Sequence, residues 1–370
     1  MSMKQDGETL TLLKQIESHG TPGLDCIVLR KGKCVFRYKS GFSDTEKTKP
    51  VNGNELYNIY SCTKLITCTA ALMLVEKDII RLDDALYEYL PEFKQMKKSV
   101  DGKLEDVKNT ITLRHLFTMT SGLTYNADTE NIKRGIAETH GAMPTREAVK
   151  YIACDPLVFE PGSSWKYSLC HDVLGAVIEV ASGRRFGEFV KENIFDPLGM
   201  KRSTFLPAED ELSEISAQYR YDSLSGQYLC CGPHVQIAKF GYDYESGGGG
   251  CVSTVSDYIT FLEALRLNSL LSPETTARMT APQISKVAEN AYWQFKPDRN
   301  FTYGLGVRCP HPNGAARGYG WMGAAGALAM ICPQDEVSIF YVQHVLNSPI
   351  RPLREKICDC VLKDIASAVS

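Results

Sequence analysis

The chain has 370 residues, of which 44% are hydrophobic and 23% charged, the balance of a globular protein with ample material for a packed core. Lys and Arg number 41 against 44 Asp and Glu, a formal charge of -3, and no long basic run offers a phosphate track, so nucleic-acid binding is not expected. No run of about 18 apolar residues suggests a membrane span. Met1 to Leu10 is polar and lacks a signal peptide's apolar core, so the expected location is cytoplasmic. The 13 cysteines are odd in number and form no C-x-x-C pair; they read as free thiols in a reducing compartment, with no structural zinc site.

In chain order, Asp25 to Tyr38 alternates apolar and polar residues around Gly32, the pattern of a β-hairpin. Thr63 to Val75 is apolar on most sides and predicts a buried helix. Asp83 to Leu90 reads as a helical turn stopped by Pro91, Met96 to Thr110 as a charged loop, and Leu113 to Met119 as a short helix ended at Ser121-Gly122. Further helices are predicted at Arg146 to Ala153, Asp172 to Ala181 and Phe186 to Phe195, with a turn-rich Pro156 to Ser164 between the first two. Glu209 to Ile237 reads as irregular, and Asp257 to Arg266 as helix. Tyr303 to Val307, Ala325 to Cys332 and Val337 to Val345 have strand content, and Leu353 to Ala368 is a closing amphipathic helix. Strands at both ends and helices between them predict an α+β fold. The body would be built from residues 1–75 and 240–370, with a mostly helical lobe from 76–239 and a cleft between them.

Several chemistries have no anchor. There is no G-x-S-x-G elbow, no H-E-x-x-H and no P-loop. The single G-x-G-x-x-G match, Gly318 to Gly323, leads into strand rather than helix, and the 7 histidines are scattered. What remains is Ser61-Cys62-Thr63-Lys64. S-x-x-K arises by chance about once in such a chain, and Ser163-x-x-Lys166 is a second match. Context separates them: Ser61 stands where the extended Leu56 to Tyr60 meets the buried helix, and unpaired N–H groups there favour a developing negative charge. Lys64 lies on the same face. A lysine in the first turn of an apolar helix opposes the dipole and is costly to bury. An ordinary lysine near pKa 10.4 is neutral at pH 7 about once in a few thousand, a deficit of about 4.6 kcal/mol, and burial can remove roughly 3–5 units. Lys64 could then serve as general base for Ser61. The alternative is that Ser61 only caps the helix and Lys64 reaches solvent. Tyr167, in Trp165-Lys166-Tyr167-Ser168, offers a second proton carrier.

These residues carry a resemblance. The chain resembles the serine β-lactamase and penicillin-binding-protein superfamily, nearest to class C β-lactamases and the related family VIII carboxylesterases. The likeness runs from about Gly23 to His344. Its pieces are Pro22-Gly23-Leu24, Ser61-x-x-Lys64, Ile111 to Leu116 leading to Thr120-Ser121-Gly122, Pro161-Gly162 before Tyr167-Ser168, Asp196 to Met200, Gly247 to Ser253 before Asp257, and Gly320 to Gly326 before Pro333. The resemblance implies an antiparallel sheet flanked by helices with an inserted helical lobe. It makes Ser61 the nucleophile, Lys64 its base and Tyr167 the partner acid/base, with the backbone N–H groups of Ser61 and Ala324 as oxyanion hole. No cofactor is implied.

Two departures bear on substrate. The family's K-T-G or H-T-G falls on Trp321-Met322-Gly323, and its Y-x-N reads Tyr167-Ser168-Leu169. Both remove polar anchors for anionic amides, which places Trp321, Met322, Gly323 and Leu169 at an apolar substrate surface. Trp321 and Asp172-Val173-Leu174-Gly175 fit the esterase subgroup; a plain core role for Trp321 and a linker role for Gly247 to Gly250 stay open. The expected function is hydrolysis of a small ester with a short to medium acyl chain and a neutral, apolar alcohol. Acyl transfer, β-lactamase or D-amino-acid peptidase activity, and a silent binding relative are the alternatives.

Overall fold

The structure, a computed structural model, describes residues 7–232, 240–285, 287, 300–368 and the backbone of 292–293. Its centre is a seven-stranded antiparallel sheet. In chain order the strands are β1 (Gly23–Arg30), β2 (Lys33–Gly41), β3 (Phe301–Tyr303), β4 (Arg308–Pro310), β5 (Tyr319–Met322), β6 (Leu328–Cys332) and β7 (Val337–Val342). Their order across the sheet is β3-β4-β5-β6-β7-β1-β2, so the sheet's first strand in chain order pairs with its last, Ile27 opposite Phe340.

Period-two alternation assigns the faces. Leu24, Cys26 and Val28 of β1, with Ile339 and Tyr341 of β7, pack under helices α1 (Glu8–Ser18) and α5 (Ile357–Ser367). Ile27, Ala329, Phe340 and Val342 point the other way, into the larger core shared with α2 (Thr63–Glu76), α3 (Cys170–Ser182) and α4 (Val255–Arg266). Every residue from Thr63 to Leu74 is buried, so α2 has no polar face, as a helix enclosed on all sides must.

The predicted hairpin and the longer predicted helices form, within a few residues of their expected bounds. Four expectations need correction. Met96 to Thr110 contains a hairpin, Lys97–Val100 with Lys103–Asp106, turning at Asp101-Gly102 with both residues at positive φ. Glu209 to Ile237 holds a short helix, Glu209–Leu212, and the hairpin Tyr219–Asp222 with Gln227–Cys230; its last residues, 233–237, lie outside the described ones, as does His234. Tyr303 to Val307 is not one strand: β3 ends at Tyr303, and the Gly304 N–H donates to Val307 O across the turn to β4. Ala325 to Ala327 belongs to the turn before β6. The helices α1, Glu130–Glu138 and Pro273–Thr280 were not expected. Among the described residues, no helix is long and apolar enough to cross a membrane.

Candidate active site

Ser61 lies in the tight turn Tyr60–Cys62 that runs directly into α2. Tyr60 is held at φ 48°, an uncommon conformation for a bulky residue, and its hydroxyl donates to Gln218 Oε1 at 2.7 Å. The turn leaves the Ser61 hydroxyl on the wall of a cavity of about 530 Å³.

Lys64 follows on the first turn of α2 and is fully buried. Its Nζ lies 3.4 Å from Ser61 Oγ and donates to Gly248 O at 2.5 Å. It also stands 4.6 Å from the ring centroid of Tyr167 and 5.4 Å from that of Tyr125. Among the described residues it forms no ion pair. The reading in which Lys64 reaches solvent is therefore set aside.

Tyr167 comes from the other side of the cleft, just before α3. Its hydroxyl shares a short hydrogen bond with Ser61 Oγ, and its ring is stacked between Tyr125 (5.3 Å, 1°) and Trp321 (5.9 Å, 20°). Ser61 Oγ is thus flanked by an amine and a phenol carried on different segments of the chain.

The third wall is β5 and the turn after it. Trp321 is 5% exposed, packs edge-on to Tyr303 at 5.3 Å, and still lines the cavity, so it serves both core and cleft. Met322, Gly323 and Ala324 line the cavity beside it. A Cβ on Gly323 would lie 2.5 Å from Ile59 O; only glycine lets this strand approach the segment that carries Ser61. The backbone N–H groups of Ser61 and Ala324 have no backbone acceptor among the described residues.

Leu169 is a correction. It is 2% exposed, sits at the N-cap of α3 and packs in the core, away from the cavity lining. Two residues past Tyr167 the chain has already turned into the helix, which carries the side chain inward.

Gly247 to Gly250 is a close-packed turn, not a linker. A Cβ on Gly247 would lie 2.3 Å from His171 O, and one on Gly248 2.3 Å from Asp172 Oδ2. Asp172 Oδ1 accepts from the Tyr244 hydroxyl (2.7 Å), the Ser246 hydroxyl (2.6 Å) and the Gly248 N–H (3.3 Å). This buried carboxylate fixes the loop whose Gly248 carbonyl in turn holds Lys64. Burial beside Lys64 also pushes the neighbouring His171 down to about 3.

The sequence reading missed Tyr125, the Gly248 carbonyl and the arginines of the cavity, Arg308, Arg351 and Arg354. Arg351-Pro352-Leu353-Arg354 stood at the edge of the closing helix, where nothing local distinguishes a cleft residue from a solvated one.

The family model described as Beta-lactamase matches residues 10–355. Esterase EstB of Burkholderia gladioli is 32% identical over 275 residues, spanning 69% of this chain and 68% of that protein. Acyltransferase calJ of Penicillium decumbens is 30% identical over 291 residues, 74% of this chain and 69% of that one. Among solved structures, EstCE1, a hydrolase with promiscuous acyltransferase activity, superposes with a TM-score of 0.77 at 24% identity, over 96% of this chain and 97% of its own. At that identity the likeness speaks for the fold.

Proposed function

The chain belongs to the β-lactamase family and is a serine hydrolase, and from that premise we propose that it cleaves carboxylic esters through an acyl-Ser61 intermediate. The observation that carries the reading is the hydroxyl of Ser61 shared between the amine of Lys64 and the phenol of Tyr167 at the wall of an open cavity. In this mechanism Ser61 Oγ attacks the ester carbonyl carbon while its proton passes to Lys64 Nζ. The carbonyl oxygen gains the negative charge and accepts from the N–H groups of Ser61 and Ala324, which have no backbone acceptor among the described residues. As the tetrahedral intermediate collapses, the proton reaches the leaving alkoxide through Tyr167. Water, activated by the same pair, then releases the acid and restores Ser61.

Two features favour esters over β-lactams. Trp321 carries an uncharged indole where the superfamily's β-lactamases place a cation, and Leu169 faces the core where they place an amide. A second reading, acyl transfer to an alcohol in place of water, has its support in a relative named as an acyltransferase. It needs no different residue, only an acceptor that outcompetes water.

The test is a p-nitrophenyl acyl ester series run beside a chromogenic cephalosporin, with mass spectrometry of the fluorophosphonate-treated protein. Ester turnover, an adduct on Ser61 and no cephalosporin opening support the proposal. Cephalosporin opening without ester turnover would replace it with a β-lactamase reading, and no adduct and no turnover would indicate a silent relative. Adding a primary alcohol and measuring the ratio of transesterified to hydrolysed product decides between water and alcohol as acceptor.

A further inference from the structure

Three arginines line the cavity that holds Ser61, and among the described residues no acidic side chain does. Two of the three have visible company. Arg351 pairs with Glu355 at 3.0 Å on the exposed rim, and the Arg308 guanidinium lies 3.8 Å over the Phe301 ring. Arg354 differs. It is 6% exposed, has no carboxylate within ion-pair distance among the described residues, and its Nε has no hydrogen-bond partner. Among the described residues its Nη2 has one hydrogen-bond partner, the sulfur of Met322 at 4.0 Å, and the carboxylate of Glu355, already paired with Arg351, lies within electrostatic reach but not in contact. Cys62, the neighbour of the nucleophile, lies within its electrostatic reach. A hydroxyl on the same cavity wall is also buried and unpartnered, that of Ser348.

A guanidinium keeps its charge in a protein, and burying it without a counter-charge is costly. Such a group persists where something outside the chain completes it. The fork of a guanidinium matches a planar two-oxygen acceptor, and a hydroxyl beside it adds a further donor. We propose that Arg354, with Ser348, binds a carboxylate carried by the ester substrate, so that the natural substrate is an acidic ester, such as a monoester of a dicarboxylic acid, rather than a neutral one. This rests on reading the cleft as an ester site. It reverses the expectation of a neutral, apolar substrate: position 321 on β5 carries no cation, but the segment leading into α5 brings one to another part of the same cavity.

Two matched pairs of substrates test it. p-Nitrophenyl hydrogen glutarate is compared with p-nitrophenyl pentanoate, which places the acid in the acyl half; 4-butyryloxybenzoate is compared with its methyl ester, which places it in the alcohol half. In at least one pair, kcat/KM is expected to favour the anion by about tenfold or more, the range of a charge-assisted hydrogen bond. Arg354→Gln and Arg354→Met bring that ratio toward one, Arg354→Lys keeps part of it as a point charge, and Ser348→Ala lowers it by about threefold. Melting temperature and the fluorophosphonate adduct on Ser61 show that each variant is folded with an intact nucleophile; because the readout is a ratio, a general loss of rate does not mimic the effect. Equal turnover of anionic and neutral esters in both pairs, or a ratio unmoved in a folded Arg354→Gln, overturns the inference and leaves the ester reading standing. No turnover of any ester overturns both.

Discussion

In the proposed mechanism Ser61, Lys64 and Tyr167 divide the work by chemistry and by address. A helix start places the first two three residues apart, which fixes their relative position whatever the rest of the fold does. Tyr167 has to be brought in by tertiary structure, and the stack between Tyr125 and Trp321 fixes its ring plane. Different losses follow. Ser61→Ala removes the bond-forming atom, so ester turnover falls to background and the fluorophosphonate adduct disappears. Lys64→Met and Tyr167→Phe keep the nucleophile and lower kcat by about 10²–10⁴, the contribution of a positioned proton carrier. If either variant stays within threefold of the native kcat, that residue moves no proton in the rate-limiting step. The same contrast explains what the amino-acid sequence disclosed. The Ser61–Lys64 spacing is local and readable. The burial of Leu169 depends on where α3 begins, and the isolation of Arg354 depends on which side chains fail to surround it; neither is written in a short window.

Strand β5 matters through what it leaves out. Gly323 lets β5 approach the backbone of Ile59, which brings Trp321 to Tyr167 and Ala324 to the cavity that Ser61 lines. In Gly323→Ala the added methyl would sit 2.5 Å from Ile59 O, so the strand has to retreat. Overpacking of this kind costs about 1–3 kcal/mol. The retreat also displaces the Ala324 N–H, and if that group is the oxyanion donor proposed above, its loss lowers kcat by about 10²–10³. Stopped-flow acylation together with urea unfolding separates the two effects: a kcat loss below tenfold with the expected destabilisation would mean that β5 only packs and does not present a donor. Elements built on apolar periodicity, α2 and α3 above all, were readable because their cores announce them. The Lys97–Asp106 hairpin was not, since its exposed strands are mostly charged and alternation has nothing to bury; the Asp101-Gly102 turn was its one signal.

The two ends of the chain close the body together. β1 and β7 are neighbours, and above them α1 and α5 share a core. Asp364 of α5 accepts the Glu8 and Thr9 N–H groups at 2.8 Å each, supplying from the far end of the chain the cap that α1 lacks locally. Asp364→Ala should therefore cost about 0.5–2 kcal/mol, the range for a lost cap. Differential scanning calorimetry should show Tm lowered by a few degrees with kcat preserved, since the contact lies across the sheet from the cleft; an unchanged Tm would mean that α1 is capped as well by water. That strands from both ends share one body was readable from where strand content fell. The clasp itself was not, because an aspartate in a C-terminal helix carries no mark of the amides it will meet.

Acid should loosen the whole fold before the carboxylates titrate. His171 and His344 are buried, and burial pushes them down to about 3 and about 4 from an ordinary value of 6.5; for His171 the nearby Lys64 adds to the effect. Both are neutral in the folded protein across the neutral range, whereas in the unfolded chain they take up protons as pH falls through about 6.5. The unfolded state then binds more protons than the folded one, so stability is full above that pH and is lost as pH falls toward 4. Between pH 7.5 and 5.5 each histidine removes about 1.4 kcal/mol, and the two together about 2.7 kcal/mol. Asp25, Glu179 and Glu245, raised by burial, act in the opposite sense. A variant comparison therefore isolates the histidine contribution better than the raw slope. His344 touches Tyr57 edge-on at 5.5 Å and lies 3.5 Å from Asn58 Nδ2, a setting that a glutamine amide can occupy without a titrating proton. Urea unfolding of native protein and His344→Gln at the two pH values should give a pH-induced loss smaller by about 1.4 kcal/mol in the variant, whatever its absolute stability. Equal losses in the two proteins would mean that His344 is protonated in the folded state at pH 5.5, and that the junction of β7 with the Tyr57–Asn58 segment opens to water more readily than its burial implies.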